Sequence, residues 1–168
     1  MAPEDALAYN NRALVYKALM EYELALADHK QAIMLAPEDA RMYANRGLTH
    51  AAFEEYEKAL VDYGRAIELE PEEAGIYYNR GFTYEMVKEY DKALADYERA
   101  IELDPQFTAM ANYSIAVVYA LQEQPMISCT YLGKILDLVP SLRDDLRTDP
   151  DFDPIRDEPC FQALMNGD

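Results

Sequence analysis

The chain has 168 residues, 51% of them hydrophobic, and 32 acids against 15 bases give it a formal net charge of −17. That length suits one ordinary domain, and that charge opposes phosphate backbones and anionic lipid, so neither nucleic acid nor a membrane is expected as a partner. No run approaches the roughly 18 consecutive apolar residues of a membrane span, and the N-terminus lacks a basic and then apolar leader.

Residues Ala2-Pro3-Glu4-Asp5 return as Ala36-Pro37-Glu38-Asp39, so the chain opens at the junction between two units of a repeat. Such an opening suits a fragment of a longer protein, a short natural leader, or an exposed end that docks on something else. The unit is 34 residues long, and its template runs from Pro71 to Asp104. Moved upstream by one period it lies on Pro37–Glu70, and by two periods on Pro3–Ala36. Tyr9, Tyr43 and Tyr77 share a column; so do Asn11, Asn45 and Asn79, then Arg12, Arg46 and Arg80, then the small residues Ala13, Gly47 and Gly81. The second half of each unit repeats Ala25-Leu26, Ala59-Leu60 and Ala93-Leu94, then Asp28, Asp62 and Asp96, then Ala32-Ile33, Ala66-Ile67 and Ala100-Ile101.

Each unit reads as two antiparallel helices, because its apolar residues recur at three- and four-residue steps on either side of a break, near residues 88–90 in the third copy. A small residue midway along the first helix permits close approach of the second. Proline at each boundary stops one helix and suits the first turn of the next. The acids that follow it, Glu38-Asp39 and Glu72-Glu73, complement the helix dipole. The recurrent tyrosines read as interlocking core with wet hydroxyls rather than as a cofactor box.

The fourth unit, 105–139, has drifted. One extra residue near Gln106–Thr108 restores the alignment and sets Ala116, Tyr119 and Ser128 in the columns of Gly81, Tyr84 and Ala93. Ser114-Ile115 replaces Asn79-Arg80, Pro125 opens the second helix, and the low charge suits a unit covered on its far side. From Pro140 to Asp168 the repeat fails. Asp149-Pro150, Asp153-Pro154 and Glu158-Pro159 are each expected to start a short helix, with the acid as N-cap and Pro in the first turn. Leu142, Leu146, Phe152, Ile155, Phe161 and Leu164 are expected to turn inward. Asp149, Asp151 and Asp153 imitate a calcium loop, but an EF-hand needs Gly where Pro154 stands and Glu where Cys160 stands, so no metal is expected. Cys129 and Cys160 stand apart with no CxxC or Cys/His cluster; neither a disulfide nor a zinc site is expected, and the compartment reads as reducing and cytoplasmic.

The period of 34, the small residue in the first half and Ala in the second make residues 3 to about 140 resemble the tetratricopeptide repeat family. The resemblance implies an all-α fold: a right-handed α-α superhelix of four helical hairpins (3–36, 37–70, 71–104 and a degenerate 105–139), closed by short C-terminal capping helices over 140–168. It also implies that the first helix of each hairpin lines a concave groove. Asn11, Asn45 and Asn79 then look like the asparagine ladder by which some family members hold a peptide main chain, since an amide offers both a donor and an acceptor. The plainer alternative is that Asn tolerates a half-exposed helical position. Along the same face come Leu14, Leu48, Tyr78, Phe82, Met86, Tyr113, Val117 and Leu121, with Asn10, Arg41 and Glu85 at the edges. These form an apolar groove for partner side chains, unless some of them touch only the C-terminal segment folding back. The family's carboxylate clamp for acidic tails does not fit: Asn10 and Leu14 stand where Lys and Asn are needed, and Gly75 and Asn79 where Lys and Arg are.

No catalytic constellation is present: no GxSxG, glycine-rich phosphate loop or HExxH, and His29 and His50 replace tyrosines in aromatic columns. The recurrent Arg12, Arg46 and Arg80 stand at a fixed offset from Asp28, Asp62 and Asp96, which reads either as a structural ladder of ion pairs or as a row of anion-binding arginines. The expected function is a non-enzymatic interaction module, without cofactor. It would hold a peptide or helix of a partner protein, neutral or basic and apolar at intervals. The alternatives are self-association through the uncovered first hairpin, or the repeat segment of a larger enzyme.

Overall fold

A computed structural model describes residues 5–167. The opening junction at residues 2–4 lies outside the described residues. Among the described residues the regular structure is helical throughout, as the repeat implied: α1 (Ala6–Ala18), α2 (Tyr22–Leu35), α3 (Ala40–Ala52), α4 (Tyr56–Leu69), α5 (Ala74–Met86), α6 (Tyr90–Leu103), α7 (Thr108–Leu121), α8 (Pro125–Leu138), α9 (Arg143–Thr148) and α10 (Pro159–Asn166). Short 3-10 turns occupy Pro105–Phe107, Pro140–Leu142 and Pro150–Ile155. The chain divides into two compact units, Met1–Glu89 and Tyr90–Asp168, with the division between α5 and α6.

In the first unit α1 pairs with α2 and α3 with α4, while α2 packs on α3 and α4 on α5. The columns of alanine explain the closeness: Ala13, Ala25, Ala32, Ala59 and Ala66 have no exposed surface. Gly47 meets a larger partner, since a Cβ there would lie 2.9 Å from Cε1 of the buried Tyr63. Ala13 fills the column of Gly47 in the hairpin whose residue in the column of Tyr63 is the smaller His29. Asp5 and Asp39 cap α1 and α3, each accepting from the backbone N–H two residues on, which satisfies a donor that the helix leaves open. The Tyr43 and Tyr77 hydroxyls donate to the carbonyls of Pro37 and Pro71, so the tyrosine column ties down the linkers.

The hairpin turns follow a rule that the sequence conceals. Met20, Glu54, Lys88 and Glu123 take positive φ of 61°, 59°, 61° and 56°. In each case the next amide donates back five residues: Glu21 to Tyr16, Glu55 to His50, Glu89 to Tyr84 and Gln124 to Tyr119. This is a Schellman closure with its left-handed residue supplied by something other than Gly or Asn.

In the second unit α6 packs on α7, α7 pairs with α8, and the C-terminal segment folds over the pair. Ala116, Val117, Leu132, Ile135 and Leu136 form one cluster with Leu146, Phe152, Ile155, Phe161 and Met165 of that segment, and Leu142 and Leu164 pack against it. The inward-facing residues expected of the segment are therefore its core, and it closes the unit as capping helices. Two expectations need correcting. Pro154 lies inside the turn Pro150–Ile155 instead of opening a helix. Cys129 and Cys160 are bonded to each other, with Cα atoms 6.1 Å apart; folding α10 onto α8 brings together residues 31 apart in sequence, and the argument from cysteine usage to a reducing compartment falls. No helix among the described residues is long and apolar enough to cross a membrane.

Candidate functional site

The leading helices of the first unit approach one another, α1 against α3 and α3 against α5. Between α3 and α5 lies a cleft of ≈ 420 Å³ lined by Arg41, Ala44, Asn45, Leu48, Glu70, Glu73, Gly75, Ile76 and Asn79. Three of the residues singled out from the sequence, Asn45, Leu48 and Asn79, thus meet in one place, each half-buried. The Asn45 amide donates to Oδ1 of the buried Asn10, 3.1 Å away. That fixes the side-chain plane and leaves the amide's second N–H and its carbonyl oxygen for other partners. The Asn45 and Asn79 main-chain carbonyls accept from the Thr49 and Thr83 hydroxyls one turn on.

The electrostatics of the cleft are acidic. Arg41, at its edge, is spent on Asp39: Nη2 lies 2.6 Å from Oδ2 and Nε 2.9 Å from Oδ1. The side-chain hydrogen bond to Arg41 holds the Asp39 carboxyl below its usual range. Glu70 and Glu73, both exposed, line the cleft with no arginine forked onto either among the described residues. Sequence reasoning missed these two, because Glu73 read as a dipole complement and Glu70 was not singled out; their place between α4 and the start of α5 was the available signal.

The other candidates are placed as follows. Asn11 is exposed and Leu14 half-buried on α1; Tyr78 is half-buried on α5, and Phe82 and Met86 are exposed there. Tyr113 and Val117 belong to the second unit and are a correction to the expected surface. Val117 is 5% exposed, inside the cluster built with the C-terminal segment. Tyr113 stacks edge-on against Phe152, with ring centroids 5.6 Å apart, and its hydroxyl donates at 2.8 Å to Asp149 and to Asp151. Burial and then those carboxylates push its pKa up. The chain's own tail therefore occupies this part of α7, as the alternative reading of the groove allowed.

The arginine column is structural in the two hairpins of the first unit. Arg12 forks onto Asp28, Nε to Oδ2 at 2.5 Å and Nη2 to Oδ1 at 2.7 Å. Arg46 forks onto Asp62 at 2.7 and 2.6 Å. Both Asp residues are buried, and bidentate pairing is the tolerable way to bury a carboxylate. Tyr9 and Tyr16 lie against the Arg12 guanidinium, and Tyr43 against that of Arg46.

Both histidines are engaged inside the first unit. His29 is fully buried, with Nε2 at 3.0 Å from the Thr49 hydroxyl; burial, then the nearby Arg46, lower its pKa to about 4. His50 lies between carboxylates, Nδ1 at 2.7 Å from Glu55 and Nε2 at 3.9 Å from Asp62. Asp149 also caps the turn that follows it, and Asp153 pairs with Arg156, so the acids of the calcium lookalike serve the tail's own structure.

The tetratricopeptide repeat pattern matches residues 6–39 and 74–107, and a related TPR repeat pattern matches 54–87. Among curated proteins none matches the chain significantly. Among solved structures, one of MamA shares 24% identity over 85% of this chain and 83% of its own, with a TM-score of 0.76. YrrB, described as a TPR protein with an unusual peptide-binding site, shares 20% over 98% of this chain and 88% of its own, with a TM-score of 0.74. The second TPR of Spaghetti (RPAP3), bound to the HSP90 peptide SRMEEVD, shares 23% over 60% of this chain and 93% of its own, with a TM-score of 0.57. At these identities the likeness is one of fold.

Proposed function

Because the chain belongs to the tetratricopeptide repeat family, we propose that it is an interaction module, an adaptor or scaffold segment, that holds an extended peptide of a partner protein along α3 and α5. The observation that carries this reading is the pair Asn45 and Asn79, repeated at 34 residues, half-exposed, and lining the same cleft. Two amides on successive leading helices can each pair with a ligand peptide unit without reading its side chain. Ala44 and Leu48, both half-buried, supply the apolar contacts between them, and exposed Phe82 and Met86, with Tyr78, extend the surface along α5; Asn11 and Leu14 extend it along α1.

Charge selects the ligand. Glu70 and Glu73 at the cleft, with Arg41 neutralised by Asp39, favour a neutral or basic peptide with apolar residues at intervals. An acidic peptide such as SRMEEVD, seen on one structural neighbour, would meet like charge. The role is non-catalytic and needs no cofactor, and a cytoplasmic location is retained only as part of this reading.

The test is fluorescence polarisation with leucine-containing decamers in neutral, basic and acidic series. The basic series is expected to bind best. The double substitution Asn45→Ala with Asn79→Ala should weaken capture by about tenfold to a hundredfold, from about 0.5–1.5 kcal/mol per hydrogen bond, in a variant that still folds but melts lower than the parent, because the buried Asn10 loses the donor from Asn45. An acidic preference, or unchanged affinity in a folded double variant, would remove this function.

A further inference from the structure

We propose that the second unit holds a slot for a tyrosine of a partner peptide, in the place that the chain's own tyrosine takes in an earlier repeat. The tyrosine column runs Tyr9, Tyr43, Tyr77 and then Asn112, once the extra residue of the fourth repeat is allowed for. In the second repeat the guanidinium carbons of Arg46 and Arg65 each lie 5.9 Å from the centroid of the Tyr43 ring. The equivalents of those two arginines are Ile115 and Lys134. With Asn112 they line a pocket of ≈ 360 Å³, which Ile101 of α6 and Tyr131 of α8 complete, all within the second unit. The ring that would fill this space is absent from the fourth repeat, and the space remains.

The chemistry of the pocket matches a phenol. Asn112 is 4% exposed, and its amide has no hydrogen-bond partner among the described residues. A buried amide left without partners costs stability, and its donor and acceptor suit a hydroxyl, which also donates and accepts. In the second and third repeats the tyrosine hydroxyl donates to the carbonyl of Pro37 or Pro71. In the fourth, the Pro105 carbonyl accepts from the Thr108 hydroxyl at 2.7 Å instead, so the carbonyl is satisfied without the ring. The ion pair of Arg46 with Asp62 is replaced in these columns by Ile115 and Tyr131. Ile115 is 1% exposed, and with Ile101 it offers apolar wall to an aromatic face.

Charge narrows the partner. Glu98 and Glu102, both exposed, stand at the pocket on α6. Arg99 holds Glu102 at 2.9 Å, whereas Glu98 has no ion pair among the described residues. The Lys134 ammonium lies 3.9 Å from the centroid of the Tyr131 ring, which occupies it. A residue beside the inserted tyrosine therefore meets Glu98, and on a chain of net charge −17 a Lys or Arg is favoured there over an acid. The occupant is a tyrosine flanked by basic residues. This slot is separate from the α3–α5 cleft and does not rest on it.

The test is a titration of the whole chain with acetyl-Lys-Tyr-Lys-amide, followed by proton–nitrogen correlation spectra at the Asn112 side-chain amide and the backbone amides of α7. Saturating shifts are expected by about 5 mM, the range in which one anchored side chain binds. The same peptide with Leu for Tyr should bind about tenfold more weakly, having lost the hydroxyl. Asn112→Leu should weaken the tyrosine peptide by about as much and raise the melting temperature, because it removes a buried amide without partners. Asn112→Tyr, which restores the column, should abolish binding with the helical circular dichroism retained. No shift at Asn112, equal affinity for the leucine peptide, or full affinity in a folded Asn112→Tyr overturns the proposal. Should Asn112→Tyr fail to fold, full affinity in Asn112→Leu overturns it in the same way. The double substitution of Asn45 and Asn79 should leave these shifts unchanged, so failure of one reading does not carry the other with it.

Discussion

The leading helices α3 and α7 carry the same columns to different outcomes, one in each unit. Ala44 and Leu48 of α3 line an open cleft, while Tyr113 and Val117, their equivalents in α7, lie beneath Phe152 and Ile155. The composition follows the cover. From Thr108 to Leu121 no residue is charged, whereas α3 keeps Arg41 and Arg46, each paired with an Asp. A repeat column thus fixes where a side chain sits on its helix, and the neighbour that arrives decides whether the position is surface or core.

Truncating the aromatic that covers α7 is the largest way to break this contrast. Phe152→Ala should cost about 3–5 kcal/mol, because the ring is fully buried. Phe82→Ala, on exposed α5 surface, should cost well under about 1 kcal/mol. Urea melts of the two variants check the ratio, and equal costs would mean that α7 is not covered in solution. Reducing Cys129–Cys160 comes next. A link across 31 residues is worth about 3–4 kcal/mol by loop closure, and faster amide exchange should appear in α8 and α10 and not in α3.

Acid sharpens the comparison from the other side, since both histidines lie in the first unit. The folded pKa of His29 is about 4 against an unfolded 6.5, so the unfolded chain binds the extra proton in that window. Stability is therefore full above pH 6.5 and falls as the pH drops toward 4, by about 3 kcal/mol in all. The Nδ1 atom has no hydrogen-bond partner, so a proton there would gain none. Amide protection factors, corrected for the intrinsic pH dependence of exchange, should be lower at pH 5 than at pH 8 in α2 and α3. His29→Tyr with Ala13→Gly, which installs the pairing of Tyr63 with Gly47, should abolish that step. The smallest effect has the opposite sign: Glu54→Gly should stabilise by about 0.5–1 kcal/mol, since φ of 59° suits glycine. A loss there would mean that the turn's side chain makes a contact worth more than its backbone conformation costs.

Much of the fold was legible because a repeat prints its own alignment. A ladder of ion pairs was one of two meanings of the constant offset between the Arg and Asp columns, and the structure sets Arg12 on Asp28 and Arg46 on Asp62; the inward side of the C-terminal segment followed from its apolar residues. Of the candidate site, Asn45, Leu48 and Asn79 were legible for the same reason. Glu70 and Glu73 were not, because a linker residue has no periodicity to give its direction. Nor was the left-handed turn, which here carries Met, Glu and Lys instead of Gly.

What the sequence determined by itself was local and repeated: helix pairs of fixed length, small residues where helices touch, and acids matched to arginines, all settled within one period by covalent spacing and helical geometry. Only the tertiary structure decided which copies of a column remain in contact with water. That the tail lies over Tyr113 and Val117 and that Cys129 reaches Cys160 both depend on burying apolar area between segments far apart in the chain, a quantity that no single window of sequence contains.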